Sequence, residues 1–215
     1  MLRPKIPNII EITLHFSERV REAKTEEMPL SELRVVKESL DEGDFYKSDI
    51  RKSIFENCTF TGCTFDKASF IDVIFENCDF SNSTFREAYF ERCRFISCKL
   101  TGVNLLEAVM KHVGFTESKL QYSHFDRAQL SDISFDKVDF TEASLSEAKL
   151  KRFEATESRF VKNNFFKTLL GGVDLSENEF FAPTLSMPPV ELKDAIINRT
   201  QAADLISLWG VIVRD

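Results

Sequence analysis

Tryptophan occurs once and tyrosine three times in these 215 residues, while phenylalanine occurs 21 times. An ordinary mixed core draws on all three aromatics, so the architecture demands Phe in particular. Positive charge is also short: 28 Lys and Arg against 35 Asp and Glu leave a net charge of −7. That excludes a protein that grips nucleic acid through its phosphates, which needs a basic surface. Basic partners remain open. No apolar run approaches the ~20 residues of a membrane span, and near Arg3 and Lys5 the residues Pro4, Pro7 and Glu11 break up any signal-peptide core. A cytoplasmic protein with no membrane contact is expected. Cys is odd in number, at five, and has no paired CxxC spacing, so neither a disulfide framework nor a zinc ribbon is indicated.

What is present is a register. Of the 21 Phe residues, 17 fall at positions divisible by five, from Phe45 to Phe180. Of the 29 such positions between Leu40 and Phe180, 28 carry Phe, Leu, Ile or Met, and Ala155 is the exception. Two residues before each centre stands a small or β-branched residue in nearly every repeat, as in Ser53, Cys58, Cys63, Ala68, Val73, Cys78, Ser83 and Ala88.

A period of five matches neither the 3.6 of an amphipathic helix nor the alternation of an extended strand. It does match a short strand followed by a corner. The small residue and the centre are two apart and face the same way, and the two mostly polar residues that follow read as a turn. Phe55-Glu56-Asn57-Cys58 recurs twenty residues later as Phe75-Glu76-Asn77-Cys78, so four sides make one coil. The expected object is a four-sided tube of stacked coils joined by parallel β-bridges, ~4.8 Å apart. Phe153 with Ala155 reverses the small-then-large order and reads as a volume-conserving swap, with a local bend.

The ends differ from the coil. Residues 1–39 lack the clean register, although Leu33 and Val35 suit a degenerate first side. This segment is expected to cap the first coil, since an open parallel edge invites pairing with another chain. The coil is assigned to residues 40–185 and a C-terminal cap to 186–215. In that cap Met187-Pro188-Pro189 stops the coil and Leu192 to Ile197 form an extended stretch. Thr200 is the expected N-cap of a helix from Gln201 to Trp209, and Gly210 ends it before Val211-Ile212-Val213.

The repeat of a small residue, a variable one, Phe or Leu, then two variable ones resembles that of the pentapeptide-repeat proteins, over about two-thirds of the chain. The resemblance implies an all-β fold, a right-handed quadrilateral β-helix. The short Leu-rich helix that begins Gln-Ala, stopped by Gly and followed by an apolar strand, resembles the C-terminus of the quinolone-resistance (Qnr) branch, of the type found in Gram-positive bacteria. There the α-helical module makes a two-fold dimer. By that resemblance the partners are DNA gyrase and topoisomerase IV, bound by mimicry of duplex DNA, with no direct nucleic-acid binding. The dimer interface is then expected at Leu205, Leu208, Trp209, Val211, Ile212 and Val213. Many Gram-negative members carry loops that interrupt the repeats and help protect gyrase; no loop interrupts this register, which favours inhibition over protection.

Sorting the outward charges by side identifies one acidic side. The side centred on Phe55, Phe75, Phe95, Phe115, Phe135, Ala155 and Leu175 carries Glu56, Glu76, Glu117, Asp136, Glu154, Glu157, Asp174 and Glu177 against only Arg94 and Lys137, a net −6. The other three come to −2, −1 and +3, the last being the side that starts at Ile50. Over seven coil steps duplex DNA carries roughly twenty charges, so shape must supply much of any mimicry. A solvated face on a scaffold for another protein partner is the alternative. Cys58, Cys78 and Cys98 stack on one inner side as core packing. His15, His112 and His124 do not converge, so no catalytic residues, cofactor site or metal site are expected.

Overall fold

The computed structural model describes residues 1–8, 10, 12–13 and 15–214. Its organising feature is the corner. The second residue after nearly every centre adopts positive φ, as at Lys52 (48°), Asn57 (55°), Asn77 (52°) and Tyr122 (60°). For residues other than Gly this conformation costs about 1 kcal/mol, and it is held here because most corner N–H groups donate to a carbonyl of the next coil. Lys47 bonds to Asp66 at 3.0 Å, Asn57 to Glu76 at 2.9 Å and Glu87 to Leu106 at 2.9 Å. Strands pair in parallel at an offset of twenty, so that Phe55 faces Phe75, Val113 faces Ile133 and Phe160 faces Phe180. The result is a parallel β-solenoid of about 8 turns.

The centres fill the axis. Phe45, Phe65 and Phe85 stack face to face with centroids 4.7 Å apart at each step, and Phe75, Phe95 and Phe115 at 4.7 and 4.8 Å. Rings on adjacent sides meet edge to face, as Phe60 and Phe65 do at 6.0 Å. The small inward residues join coils through their polar atoms. Ser53 Oγ accepts from the Leu33 N–H at 3.1 Å and donates to the Arg51 carbonyl at 2.7 Å, and Ser83 Oγ accepts from Cys63 N–H at 3.0 Å. At the corners, residues twenty apart often carry opposite charge: Asp72 with Arg92, Glu107 with Arg127, Asp132 with Arg152. The first pair is nearly buried, with side chains 6% and 16% exposed.

At Phe153 the register is kept, with Ile133 facing Phe153 and Phe135 facing Ala155. The Phe153 ring lies 5.1 Å from Phe135 and 6.4 Å from Phe160, filling the space Ala155 leaves. A ring at this inward position takes room that the following coil needs. Strand Lys149–Thr156 is accordingly the last of the ten-stranded sheet, while the next coil stays joined through Arg159–Val161 and Glu179–Phe181.

The N-terminal end is closed by helix α1 (Phe16–Glu26), which buries Phe16 and Val20. Phe16 stacks 5.5 Å from Phe45 and meets Phe55 edge-on at 5.2 Å, continuing the aromatic column into the cap. Leu33 and Val35 do form a first side: Arg34–Val36 pairs with Ile54–Glu56, and Leu30–Ser31 pairs with Ile50–Arg51. The C-terminal end departs from expectation in two places. Helix α2 spans Arg199–Ser207 with Asn198, not Thr200, as N-cap, because Asn198 and Gln201 exchange side-chain and backbone bonds in a capping box. In place of one extended stretch, a 3-10 turn at Val190–Leu192 is followed by a single bridge from Ile196 to Asp174. Gln201 is buried and donates to the Leu175 and Asn178 carbonyls at 2.9 and 2.7 Å, satisfying the coil's last open acceptors.

Inserting one residue between Phe90 and Phe95 turns every later centre outward. Displacing even three centres costs at least about 5 kcal/mol, so the melting temperature should fall by roughly 10–20 °C with loss of β circular dichroism. An unchanged melt overturns the offset of twenty. Burial pushes the Asp72 carboxyl up, but hydrogen bonds from Arg92 and the Lys5 N–H outweigh it and hold it below the usual range. That stabilisation is complete above the unfolded carboxyl's pKa and is lost as pH falls through the lower folded value. Asp72→Asn should therefore cost about 2 kcal/mol at pH 7 and flatten the acid limb of the stability profile, measured by urea melts from pH 2 to 7.

Candidate functional site

The eight carboxylates of the acidic side lie on one side of the coil but are not equally available. Glu76, Glu117, Glu154, Glu157, Asp174 and Glu177 are exposed, while Glu56 and Asp136 are half-buried. Arg34, from the first side, holds Glu56 through two hydrogen bonds of 2.9 and 3.0 Å. Asp174 accepts from the Ser176 hydroxyl and N–H, which hold its carboxyl below the usual range. The densest run of free carboxylates is thus the last two coils, Glu154 to Glu177.

Between the two ends of this stripe the surface is occupied by the chain's own N-terminus, which sequence reasoning assigned wholly to the cap. Residues 1–8 run along the coil as a strap. The Lys5 N–H donates to Asp72 Oδ1 at 2.9 Å, the Leu2 N–H to His112 Nδ1 at 3.4 Å, and the Arg94 guanidinium to the Leu2 carbonyl at 2.8 Å. A Cβ on Gly114 would lie 3.3 Å from the Met1 methyl and 3.1 Å from both Arg94 Cδ and Ser134 Oγ. Gly114 is therefore the seat of Met1. A signal existed in the sequence: of the outward residues just before the centres of this side, Ile54, Ile74, Gly114 and Ser134 are apolar or small, with Arg94 among them, whereas on the sides starting at Leu40 and Phe45 the same positions are all polar. Beyond them Glu154 and Asp174 restore acidity.

The six residues assigned to a dimer interface divide. Leu205 is 4% exposed and belongs to the core of this chain, packed on the coil end. Leu208, Trp209, Val211, Ile212 and Val213 are exposed by 38–82%. With Ile206 and Ile196 they leave an apolar surface at one end of the rod.

The interior offers little reactivity. Cys58, Cys78 and Cys98 do stack, each Sγ donating to a backbone carbonyl of the coil before, as Cys78 does to Phe55 at 3.4 Å. The Cys58 thiol favours the Cys78 thiolate, but contact with Cys98 and burial outweigh it and push Cys78 up to about 12. Burial pushes Cys93 up to about 12 as well. All five cysteines are buried and unbridged. Among the described residues no group of three or more His, Cys, Asp or Glu is arranged to hold a metal ion, and no helix is long and apolar enough to cross a membrane.

Family models for pentapeptide repeats match residues 44–82, as eight copies, and residues 68–139, as a repeat region. No curated protein matches the chain in sequence. Among solved structures, two trypsin-treated forms of QnrB1, a plasmid-mediated fluoroquinolone resistance protein, superpose with TM-scores of 0.67 and 0.69 at 21% and 22% identity. The alignments cover 84% and 85% of this chain and 90% of each of those. Register, corners and matched models agree: residues 44–139 carry pentapeptide repeats, and the coil is folded like that of QnrB1.

Proposed function

We propose that this protein binds type II topoisomerases, DNA gyrase and topoisomerase IV, by presenting an acidic rod where they hold duplex DNA, and that it thereby reduces fluoroquinolone susceptibility. The observation that carries this reading is the concentration of net negative charge on a single side of a rigid coil. The likeness in fold to a fluoroquinolone resistance protein supports it. Electrostatic attraction steers such a rod into a basic groove, and the coil's regular cross-section supplies the shape. The coil is not interrupted by loops, which favours inhibition over protection of the drug-poisoned enzyme. Nothing in the site calls for a catalytic step, and the protein acts as a binder in the cytoplasm.

The apolar end surface completes the reading. Patches of this kind usually mark an interface, and a two-fold contact between identical ends is the commonest way to cover one. Two rods joined by their C-termini span about 70–80 Å at the strand spacing, a length suited to a partner that holds a DNA segment.

Purified gyrase, titrated in a supercoiling assay with and without ciprofloxacin, tests the reading directly. Replacing Glu154, Glu157 and Glu177 by Lys should raise the concentration needed for half-effect by roughly tenfold or more, whereas replacing Lys111 and Lys149 by Glu should leave it within about twofold. If the two sets behave alike, the acidic side is ordinary surface. Leu208→Asp with Trp209→Asp should give monomers with unchanged β circular dichroism and a weaker effect on gyrase. Light scattering that finds the unmodified protein monomeric at micromolar concentration removes the dimer.

A further inference from the structure

The sheet ends at Lys149–Thr156, but the coil continues. On the two sides centred on Leu150 and Ala155, this strand and residues 169–177 above it share no backbone hydrogen bond among the described residues. On the other two sides the same coils are joined. The Leu145 N–H donates to the Asn164 carbonyl and the Glu147 N–H to the Phe166 carbonyl, each at 2.8 Å, and Arg159–Val161 pairs with Glu179–Phe181. Side chains pin both ends of the gap: Thr168 Oγ1 accepts from the Ala148 N–H at 2.8 Å, and Asn178 Nδ2 donates to the Ala155 carbonyl at 3.0 Å. The upper lip belongs with the C-terminal cap. Leu170, Gly172 and Leu175 donate to the Glu191, Asp194 and Ile196 carbonyls at 2.8 Å each, and a Cβ on Gly171 would lie 3.2 Å from the Lys193 carbonyl. A wedge-shaped mouth results, and Leu150 and Ala155 are the only centres from Phe45 to Phe180 that are half-buried and not buried.

Charge keeps the lips apart as well as the Phe153 ring does. The corners that frame the mouth carry attracting pairs at the offset of twenty, Asp132 with Arg152 and Glu147 with Lys167. Across it Glu157 faces Glu177, Glu154 faces Asp174, and Arg152 faces Gly172 at the same offset. A four-sided tube fastened on two adjacent sides and free on the other two moves by rotation about the corner that the fastened sides share. That corner is at Lys162 and Asn163, where the fully buried Asn163 donates through Nδ2 to the Ala143 carbonyl at 3.1 Å. We propose that the coil is jointed here: residues from Asn164 onward, carrying the C-terminal cap, tilt about the Lys162–Asn163 corner, and the mouth closes when the carboxylates facing across it are neutralised. The joint does not depend on the topoisomerase reading. A cationic surface laid on Glu154 to Glu177 closes it and tilts the C-terminal end of the rod.

Cysteine pairs in the full chain test it. A disulfide needs Cα atoms within about 7 Å, which stacked coils at the strand spacing satisfy and parted lips do not. Lys149→Cys with Leu169→Cys spans the mouth, and Gln129→Cys with Lys149→Cys spans the closed ladder one coil below. In a glutathione buffer the lower pair should cross-link about tenfold faster or more, because the upper pair meets only when the joint closes. Adding Glu154→Gln, Glu157→Gln and Glu177→Gln should speed the upper pair by about fivefold or more and leave the lower pair unchanged, which also shows the coil intact. Equal rates for the two pairs, no cross-link across the mouth in either background, or an upper rate indifferent to the Gln substitutions each overturn the proposal. Hydrogen exchange read by mass spectrometry gives a second measure on the unmodified protein. Amides of residues 149–157 should exchange about tenfold faster or more than those of residues 129–137, and equal protection overturns the joint.

Discussion

Everything in this molecule rests on the fit of one large apolar side chain against the one twenty residues later. A Phe ring at a centre finds the next ring at 4.7 to 5.5 Å along columns such as Phe45 to Phe85 and Phe60 to Phe80, and that separation is the parallel strand spacing. Ring stacking and β-bridges therefore ask for the same rise, and neither strains the other. The corners follow from this constraint. A chain that must turn a right angle every five residues and keep each N–H bonded to the next coil has the left-handed conformation as its solution, even at Lys, Glu, Arg and Asn.

A stack of this kind has open ends, and the two are closed by different chemistry. At the N-terminal end α1 supplies what the coil lacks, one more Phe in the column. At the C-terminal end the difficulty is polar, because the last carbonyls face no further coil. Gln201 and Asn198 provide donors for Leu175, Ser176 and Asn178, and buried Glu191 accepts from the Lys167 N–H and from Ser186. Leu205 is used up in this closure. The rest of the apolar tail is left outside, so the rod has an exposed apolar surface at one end and a plug at the other.

The outer surface is where function has room to vary, since any outward residue is compatible with the coil. The acidic side is a consequence of that freedom, and so is the strap. Gly114 is where the two meet: a Cβ there would crowd Arg94 and Ser134 of the neighbouring coils at 3.1 Å and the Met1 methyl at 3.3 Å. The stripe's middle is thus a built contact, and its free charge is concentrated toward Glu154, Glu157, Asp174 and Glu177.

The sequence by itself determined the coil. Phe at every fifth position, the small residue two before it, and the repeat of Phe55-Glu56-Asn57-Cys58 at twenty name the sides, the inward set and the partners of each strand, because in a solenoid every contact is a fixed number of residues away. The acidic side was legible for the same reason. Only the tertiary structure decided what lies across that register. Met1 meets Gly114 and Ser134, and Lys5 meets Asp72, at separations no periodicity encodes. Asn198 displaces Thr200 as the cap because Gln201 stands three residues after it and must also reach the coil's last carbonyls. The end of the ten-stranded sheet at Phe153 depends on how one ring shares volume with the coil that follows. Periodic contacts repeat one local rule and can be read from spacing; contacts between an aperiodic segment and the coil depend on where the chain happens to pass, and that is set only when the whole is packed.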